Sequence, residues 1–160
     1  AMKVKSKKTL RALLLVTVVI FGYYLWLSLR TVEIVAVHHR GHGSSAVLVR
    51  NFPFTDKGKI SWWLKNKNML KEKYDIPKPD KDGSYTVTFW LFSEGYKEGD
   101  GYDRLCFNDM PPPLNCIDKD AAFSVSNSKN LGAIFTTYDG KYQLQKNGDI
   151  VRFTDEFEFK

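Results

Sequence analysis

Residues 12–29 form an uninterrupted apolar run, which constrains this chain more than any other feature. The 18 residues of the run include no charged side chain. At about 1.5 Å per residue, a helix of this length reaches roughly 27 Å, close to the hydrocarbon thickness of a bilayer, about 30 Å. A buried helix would need a core on every side, which a chain of 160 residues hardly provides. The run therefore predicts a transmembrane helix over residues 12–29.

The charges that flank the run predict its orientation. The tail of residues 1–11 contains five Lys or Arg, whereas Arg30 is the one basic residue directly after the run. Because Lys and Arg are enriched on the cytoplasmic side of membrane helices, we expect a cytoplasmic tail and a domain of residues 31–160 outside the cytoplasm. The run ends without the A-x-A pattern of a signal-peptide cleavage site, which favours an uncleaved anchor. Cleavage is the alternative interpretation.

The net charge of +6 belongs to the membrane-flanking part of the chain. Residues 1–30 hold six of the 24 Lys and Arg and none of the 18 Asp and Glu, so residues 31–160 carry 18 charges of each sign. A domain that binds nucleic acid usually shows a basic excess or a basic stripe. The neutral domain therefore predicts no nucleic-acid partner.

Two cysteines, Cys106 and Cys116, lie ten residues apart on either side of three consecutive prolines. Outside the cytoplasm an even cysteine count predicts a disulfide. Closing a loop of this size stabilises the fold by about 3 kcal/mol in the chain-entropy estimate. The gain is smaller here because the prolines already lower the conformational entropy of the unfolded loop. A metal site is the alternative, but no further ligand flanks the pair at the usual spacing.

The outer domain contains several predicted strands. Two stretches rich in β-branched residues, 31–37 and 45–52, are separated by a Gly/His/Ser stretch that is expected to form a loop. Further strands are predicted at residues 85–92, 103–108 and 121–126. The second half of 85–92 is apolar on both faces, so we expect this strand at the centre of the sheet.

The end of the chain contains two hairpin signals. Asp139-Gly140 and Asn147-Gly148 each lie between runs of alternating polarity. Such dipeptides favour the tight turns of β-hairpins. The sequence therefore predicts a three-stranded antiparallel meander.

One helix is predicted between the second and third strands. Thr55 is a suitable N-cap, and Pro77 prevents continuation far beyond Tyr74. Trp62 and Met69 share one face and predict either a partner-binding patch or a pair that another segment covers. The opposite face is expected to pack on the core through Ile60, Trp63, Leu64, Leu70 and Tyr74.

These elements predict an α+β fold with a single N-terminal transmembrane helix. We expect one mostly antiparallel β domain with one early amphipathic helix, built on one sheet or on a pair of sheets. No internal repeat or long linker divides residues 31–160. The expected organisation is therefore a tail of residues 1–11, a membrane helix over 12–29 and one domain over 31–160.

The residues with chemical potential form no known catalytic motif. His38, His39 and His42 lie among glycines that disfavour helical i, i+4 spacing, so we expect a solvated loop more than a metal site. Residues 93–103 form a Gly-rich acidic loop that matches no EF-hand. The chain contains no G-x-S-x-G, H-E-x-x-H, P-loop or G-x-G-x-x-G motif. We therefore expect no enzyme activity, cofactor, metal or small-molecule substrate.

Three long stretches of the chain, residues 51–90, 102–116 and 138–153, carry a family resemblance. The chain resembles a family of enterobacterial membrane proteins known as domain of unknown function 943. The resemblance covers nearly the full length, including the basic tail and the membrane segment. It implies a small inner-membrane protein and supplies no catalytic residues.

Small size, a neutral domain without catalytic groups, a disulfide and a membrane anchor together predict a binding protein. Most concretely, we expect an immunity protein that neutralises a toxin delivered to the cell envelope. The first candidate surface for that partner is the acidic loop, in which aromatic residues would supply binding energy. Its predicted contact residues are Glu94, Tyr96, Glu98, Asp100, Tyr102 and Asp103. Trp62 and Met69 are the second candidate surface.

Two other functions remain open on the sequence. A structural or sensory subunit of an envelope complex would pack through its membrane helix, although Gly22 alone makes no GxxxG motif and the run holds no charge. A hydrolase would use carboxylates of the acidic loop, such as Glu94 and Asp103.

Overall fold

The computed structural model describes residues 2–29, 31–92, 94–99 and 103–153. The chain divides into two units, Ala1–Thr31 and Val32–Lys160. We call the second unit the β domain.

The first unit is a single helix, α1 (Met2–Leu29). Its segment Ser6–Trp26 is long and apolar enough to cross a membrane, and none of the segment's most apolar 18-residue window is buried. No other helix in the described part of the chain meets that test. The predicted membrane segment therefore lies within a helix that begins earlier, in the basic tail.

The β domain contains one helix and, among the described residues, ten strands. The helix is α2 (Asp56–Tyr74), between the second and third strands. The strands are β1 (Glu33–Gly41), β2 (Ser44–Arg50), β3 (Tyr85–Leu91), β4 (Lys97–Glu98), β5 (Arg104–Cys106), β6 (Leu114–Asp118), β7 (Ala121–Ser128), β8 (Gly132–Thr136), β9 (Lys141–Leu144) and β10 (Ile150–Arg152).

Seven strands form the main sheet, in the order β1-β2-β3-β7-β8-β9-β10. All neighbours are antiparallel except β2 and β3, which run parallel with Val47 beside Phe89. Parallel neighbours need a crossover connection, and α2 supplies it. The α+β class, the mostly antiparallel sheet and the central position of β3 are confirmed.

Helix α2 begins and ends where its capping residues predict. The Thr55 hydroxyl accepts a hydrogen bond from the Gly58 N–H at 2.9 Å, which satisfies one of the free donors of the first turn. Asp75 ends the helix in the left-handed conformation, at φ 57°. Ile60, Trp63 and Leu70 are buried, so the predicted core-facing stripe is confirmed for these three residues.

The main sheet is covered on both faces. Adjacent strand residues point to opposite faces, and in β2 both Val47 and Leu48 are fully buried. Val47 belongs to the larger cluster, which α2 covers. Leu48 belongs to a second cluster with Leu105 and Ile117, contributed by β5 and β6. The β domain therefore has three layers: the helix, the main sheet, and a small sheet with the strand order β4-β6-β5.

The predicted meander is confirmed. Strand β9 pairs antiparallel with β8 on one side and with β10 on the other. The Thr137 N–H donates to the Gly140 carbonyl at 2.8 Å, and the Gln145 N–H donates to the Asp149 carbonyl at 2.7 Å. Both turns therefore fall at the dipeptides that predicted them.

Candidate functional site

The acidic loop and the small sheet form one surface. We define the candidate surface as the described residues 94–99 and 103–118, which contain β4, β5 and β6. Glu94, Glu98 and Asp103 of the predicted site are exposed on this surface. Asp100 and Tyr102 lie outside the described residues.

Tyr96 fixes the loop to the domain. Its ring packs against Phe92 with the ring centroids 5.1 Å apart. Its hydroxyl lies 3.0 Å from Nε2 of His38. These contacts of the ring and the hydroxyl hold Tyr96, and with it the loop, against the domain; its role as a partner contact stays a prediction.

His38 is a site residue that the sequence analysis placed wrongly. The predicted solvated loop does not include it, because strand β1 extends through Gly41 and the turn is made by His42 and Gly43. The His38 side chain is buried, at 6% exposure. Its ring stacks on Phe107 at 3.9 Å with an interplanar angle of 11°. His39, next along the strand, faces solvent as strand alternation requires.

A chain of hydrogen bonds passes through His38. Nδ1 of His38 lies 2.9 Å and 2.8 Å from the two carboxylate oxygens of Asp109. When Nδ1–H donates to Asp109, Nε2 is free to accept the Tyr96 O–H. Burial, and secondarily the Asp109 charge, raises the pKa of Tyr96, so its hydroxyl stays protonated and able to donate. The chain joins β1, the acidic loop and the segment after β5.

Several acidic groups of the surface are paired with basic groups of the same surface. Lys97 Nζ lies 2.8 Å from the Glu94 carboxylate and also contacts Asp118. Arg104 Nε donates to Asp118 at 3.2 Å. The hydrogen bonds that Lys97 and Arg104 donate to Asp118 lower the pKa of Asp118, and those that Lys97 donates to Asp118 and Glu94 raise the pKa of Lys97. The loop is therefore less acidic than its composition indicates.

The cysteines join two strands of the small sheet. Cys106 of β5 and Cys116 of β6 are register partners, and their sulfur atoms are 2.02 Å apart, at disulfide distance. Gly99 of the loop packs directly on this pair. A Cβ at position 99 would lie 3.0 Å from Sγ of Cys116 and 3.1 Å from Sγ of Cys106, so close contact requires glycine.

An apolar side chain missed by the sequence analysis lies on this surface. Leu114 is 55% exposed and is the register partner of Glu98. Directly opposite residues of an antiparallel pair share one face. The residues before it, 111–113, are also exposed. Three prolines followed by leucine were the available signal, but they do not resemble a strand.

The second predicted patch joins a half-buried side chain, Trp62, and an exposed one, Met69. Trp62 is half-buried and packs edge-on against Phe52 at 5.4 Å and Phe89 at 5.6 Å. Met69 is exposed. Part of the indole therefore packs on the core, as in the alternative in which other segments cover it, and partner binding by Trp62 and Met69 stays a prediction.

The surface shows no metal-binding arrangement in the part of the chain that the structure describes. No three His, Cys, Asp or Glu side chains there converge on one point. Among its described residues, the surface has an acidic and an apolar side chain, Glu98 and Leu114, paired at its exposed edge.

One apolar N-terminal helix followed by an α+β domain defines the class: a membrane protein with one candidate transmembrane helix. More particularly, the chain belongs to the family described as Enterobacterial putative membrane protein (DUF943), whose model matches residues 3–154. The predicted family is thereby confirmed. A search of curated proteins and a search of solved structures find no match.

Proposed function

We propose that this chain is a non-enzymatic binding protein of the inner membrane. In this proposal α1 crosses the membrane, the β domain lies in the periplasm, and the candidate surface binds a protein partner. The partner is most concretely a toxin delivered to the envelope, against which the chain acts as an immunity protein.

The observation that carries the proposal is the internal bracing of the candidate surface. The Tyr96–His38 hydrogen bond, the Cys106–Cys116 pair and the Lys97–Asp118 contact each tie the loop or its sheet to a neighbour. A surface that is already ordered loses less conformational entropy when it binds. Such bracing is the feature expected of a surface that recognises a partner.

Glu98 and Leu114 are the proposed contact residues. An exposed leucine beside a carboxylate combines an apolar centre with a charged rim, an arrangement common in protein interfaces. The rim charge would favour a partner with a basic patch and increase its association rate.

Two features support the periplasmic side. The basic residues lie before the apolar run, as expected of a cytoplasmic tail. The cysteine pair is at disulfide distance, and disulfides persist in the periplasm and are rare in the cytoplasm.

Co-expression with the product of the adjacent gene tests the proposal. We expect a complex and protection of the host cell. Leu114→Asp should weaken binding by about 2 kcal/mol, roughly 30-fold in Kd, if Leu114 is a central contact.

The matched control for that variant is Leu131→Asp, because Leu131 is also exposed, at 47%, in the turn between β7 and β8. The control should bind as the unaltered chain does. Absence of both a complex and protection, or equal effects of the two variants, contradicts the proposal.

A further inference from the structure

One end of the main sheet is the end at which the chain enters the β domain. Glu33 opens β1 and pairs with Arg50, the last residue of β2. Following the register across the sheet, the same end contains Leu91 of β3, Thr136 of β8 and Arg152 of β10. We call this end, with the loops of residues 51–55 and 137–140, the tether end.

The chain enters the β domain a few residues after α1 ends. Helix α1 ends at Leu29 and β1 begins at Glu33. An extended chain advances at most about 3.5 Å per residue, so these two residues are separated by no more than about 14 Å. When α1 crosses a bilayer, the tether end is therefore within reach of the lipid headgroups.

Among the described residues of the β domain, two aromatic side chains are exposed, and both lie at the tether end. Phe54 is 70% exposed and Tyr138 is 62% exposed. Among the described residues of the domain, the other large exposed hydrophobic side chains are aliphatic: Met69, Leu114, Leu131, Ile150 and Val151. The two aromatic rings are therefore concentrated where the chain enters.

Both aromatic residues are connected to the first turn of α2. Phe54 directly precedes the N-cap Thr55, whose carbonyl accepts a hydrogen bond from the Lys59 N–H at 2.9 Å. The Lys59 Nζ lies 4.4 Å from the centroid of the Tyr138 ring. The Tyr138 hydroxyl also donates to Asp120 at 2.6 Å. Tyr138 is thus held in position although most of its surface faces solvent.

We propose that the tether end docks on the membrane that anchors the chain, with Phe54 and Tyr138 in the headgroup region. Aromatic rings favour the membrane–water interface, and shallow burial of apolar side chains binds proteins to it. Exposed basic residues such as Arg50 and Lys141 lie at the same end, but Glu33, Asp120 and Asp139 offset their charge. The rings, more than electrostatic attraction, therefore carry the docking.

Docking on lipid goes beyond the proposed binding of a toxin and is independent of it. It requires only that α1 lies in a bilayer, on either orientation. The candidate surface can fail to bind any partner while the tether end still contacts lipid, and the reverse also holds.

The test uses the full chain in nanodiscs of phosphatidylethanolamine and phosphatidylglycerol. Nitroxide labels are attached singly at Lys57→Cys and Asp139→Cys, two exposed positions that lie beside Phe54 and Tyr138 and leave both rings in place, with the Cys106–Cys116 disulfide intact. Matched controls are Leu131→Cys and Ile150→Cys, which are exposed in turns or strands of the other sheet end. Val16→Cys in α1 reports a position within the bilayer and verifies insertion.

The measurement is the ratio of collisions with oxygen, which concentrates in lipid, to collisions with a water-soluble nickel chelate. We expect a higher ratio at positions 57 and 139 than at 131 and 150, shifted toward the ratio at position 16. An aqueous ratio at either 57 or 139 overturns the proposal, as does spin–spin coupling between labels on two copies. If a labelled variant loses the thermal transition of the unaltered chain, Lys141→Cys, exposed at the same sheet end, replaces it and is read by the same criterion.

Discussion

At the scale of single residues, His38 shows how a buried polar group organises this domain. Two segments distant in sequence meet at its ring: one contributes Tyr96 at Nε2, and the other contributes Asp109 at Nδ1 and Phe107 on the ring face. A buried polar group that loses its partner costs about 1–3 kcal/mol, more than an average hydrogen bond contributes. The imidazole is therefore a point where small changes have measurable effects on stability.

A double-mutant cycle measures the contact between His38 and Tyr96. We expect Tyr96→Phe to lower the free energy of unfolding by about 1 kcal/mol, because it removes the hydroxyl that donates to Nε2. His38→Ala should cost more, since it also removes the stack on Phe107. The coupling energy, from urea unfolding of both single variants and the double variant, should be about 1 kcal/mol. Purely additive effects would contradict the hydrogen bond.

Lys59 is a buried cation and predicts a specific pH dependence. It is 3% exposed, and burial lowers its pKa below 10.5 despite attraction to Asp56, Asp139 and Asp120. Between the lowered pKa and 10.5 the unfolded state binds more protons at this residue, so its contribution to stability rises with pH through that window.

The variant Lys59→Met tests whether the contribution of Lys59 to stability rises with pH. The variant keeps a similar stem without the charge, and buried charges can often be replaced by apolar groups without loss. Thermal unfolding of both proteins should be measured at neutral pH and above pH 10.5. The Tm of the unaltered chain, relative to that of the variant, should be lower at neutral pH than above pH 10.5. The cation–π contact with Tyr138 favours the charged form of Lys59 and so opposes the effect of burial. A difference between the two proteins that does not change with pH would show that the amine is not penalised by burial.

At the scale of elements, the small sheet depends on crosslinks more than on its own length. Its strands β4 and β5 contain two and three residues, which is short even for edge strands. The disulfide and the contacts of Asp118 add stability that the few backbone hydrogen bonds of these short strands do not supply.

Asp118→Asn should remove an acid-dependent part of stability. The hydrogen bonds from Lys97 and Arg104 lower the pKa of Asp118 below 3.8. A group with a lowered folded-state pKa stabilises the fold above its unfolded pKa and loses that effect as pH falls toward its folded pKa. Circular dichroism melts of the unaltered chain should therefore show a larger fall in Tm below pH 3.8 than melts of the variant. Parallel curves for the two proteins would exclude this role.

Replacing both Cys106 and Cys116 by Ser should destabilise the domain by about 2 kcal/mol. The chain-entropy estimate for a short loop is near 3 kcal/mol, and Pro111, Pro112 and Pro113 already restrict the unfolded loop. Because Gly99 packs on both sulfurs, hydrogen exchange should accelerate first in β4 and β6, with β8 and β9 as internal controls. Uniform acceleration of exchange across the domain would contradict a local role of the disulfide in the small sheet.

Local signals predicted the elements that depend on local chemistry. The cap at Thr55, the turns at Asn147-Gly148 and the alternation of β3 are all found where expected. Strand β6 was missed because its start, Leu114, follows three prolines and its residues show little β-branching. The parallel pairing of β2 with β3 and the burial of His38 depend on distant segments, so neither is readable from a short window of sequence.

At the scale of the whole molecule, the two units have different proposed roles: anchoring and recognition. Helix α1 and the family match define a membrane protein. The β domain supplies two surfaces with separate proposed roles: the candidate surface around Glu98 and Leu114, and the tether end around Phe54 and Tyr138. The charge asymmetry that predicts sidedness lies in the tail and not in either surface.

Sidedness is therefore testable without knowledge of any partner. Protease added to intact spheroplasts should remove the β domain and leave a short membrane fragment that contains residues 12–29. The positive-inside bias predicts this result, and a cytoplasmic protein serves as the control for intact membranes. Thiols trapped in living cells with a membrane-permeant maleimide should also be unmodified, because both cysteines are expected to be oxidised in the periplasm. Protection of the β domain until the membrane is lysed, or modification of both thiols, would place the domain in the cytoplasm. Either result would remove the basis for an envelope toxin as its partner.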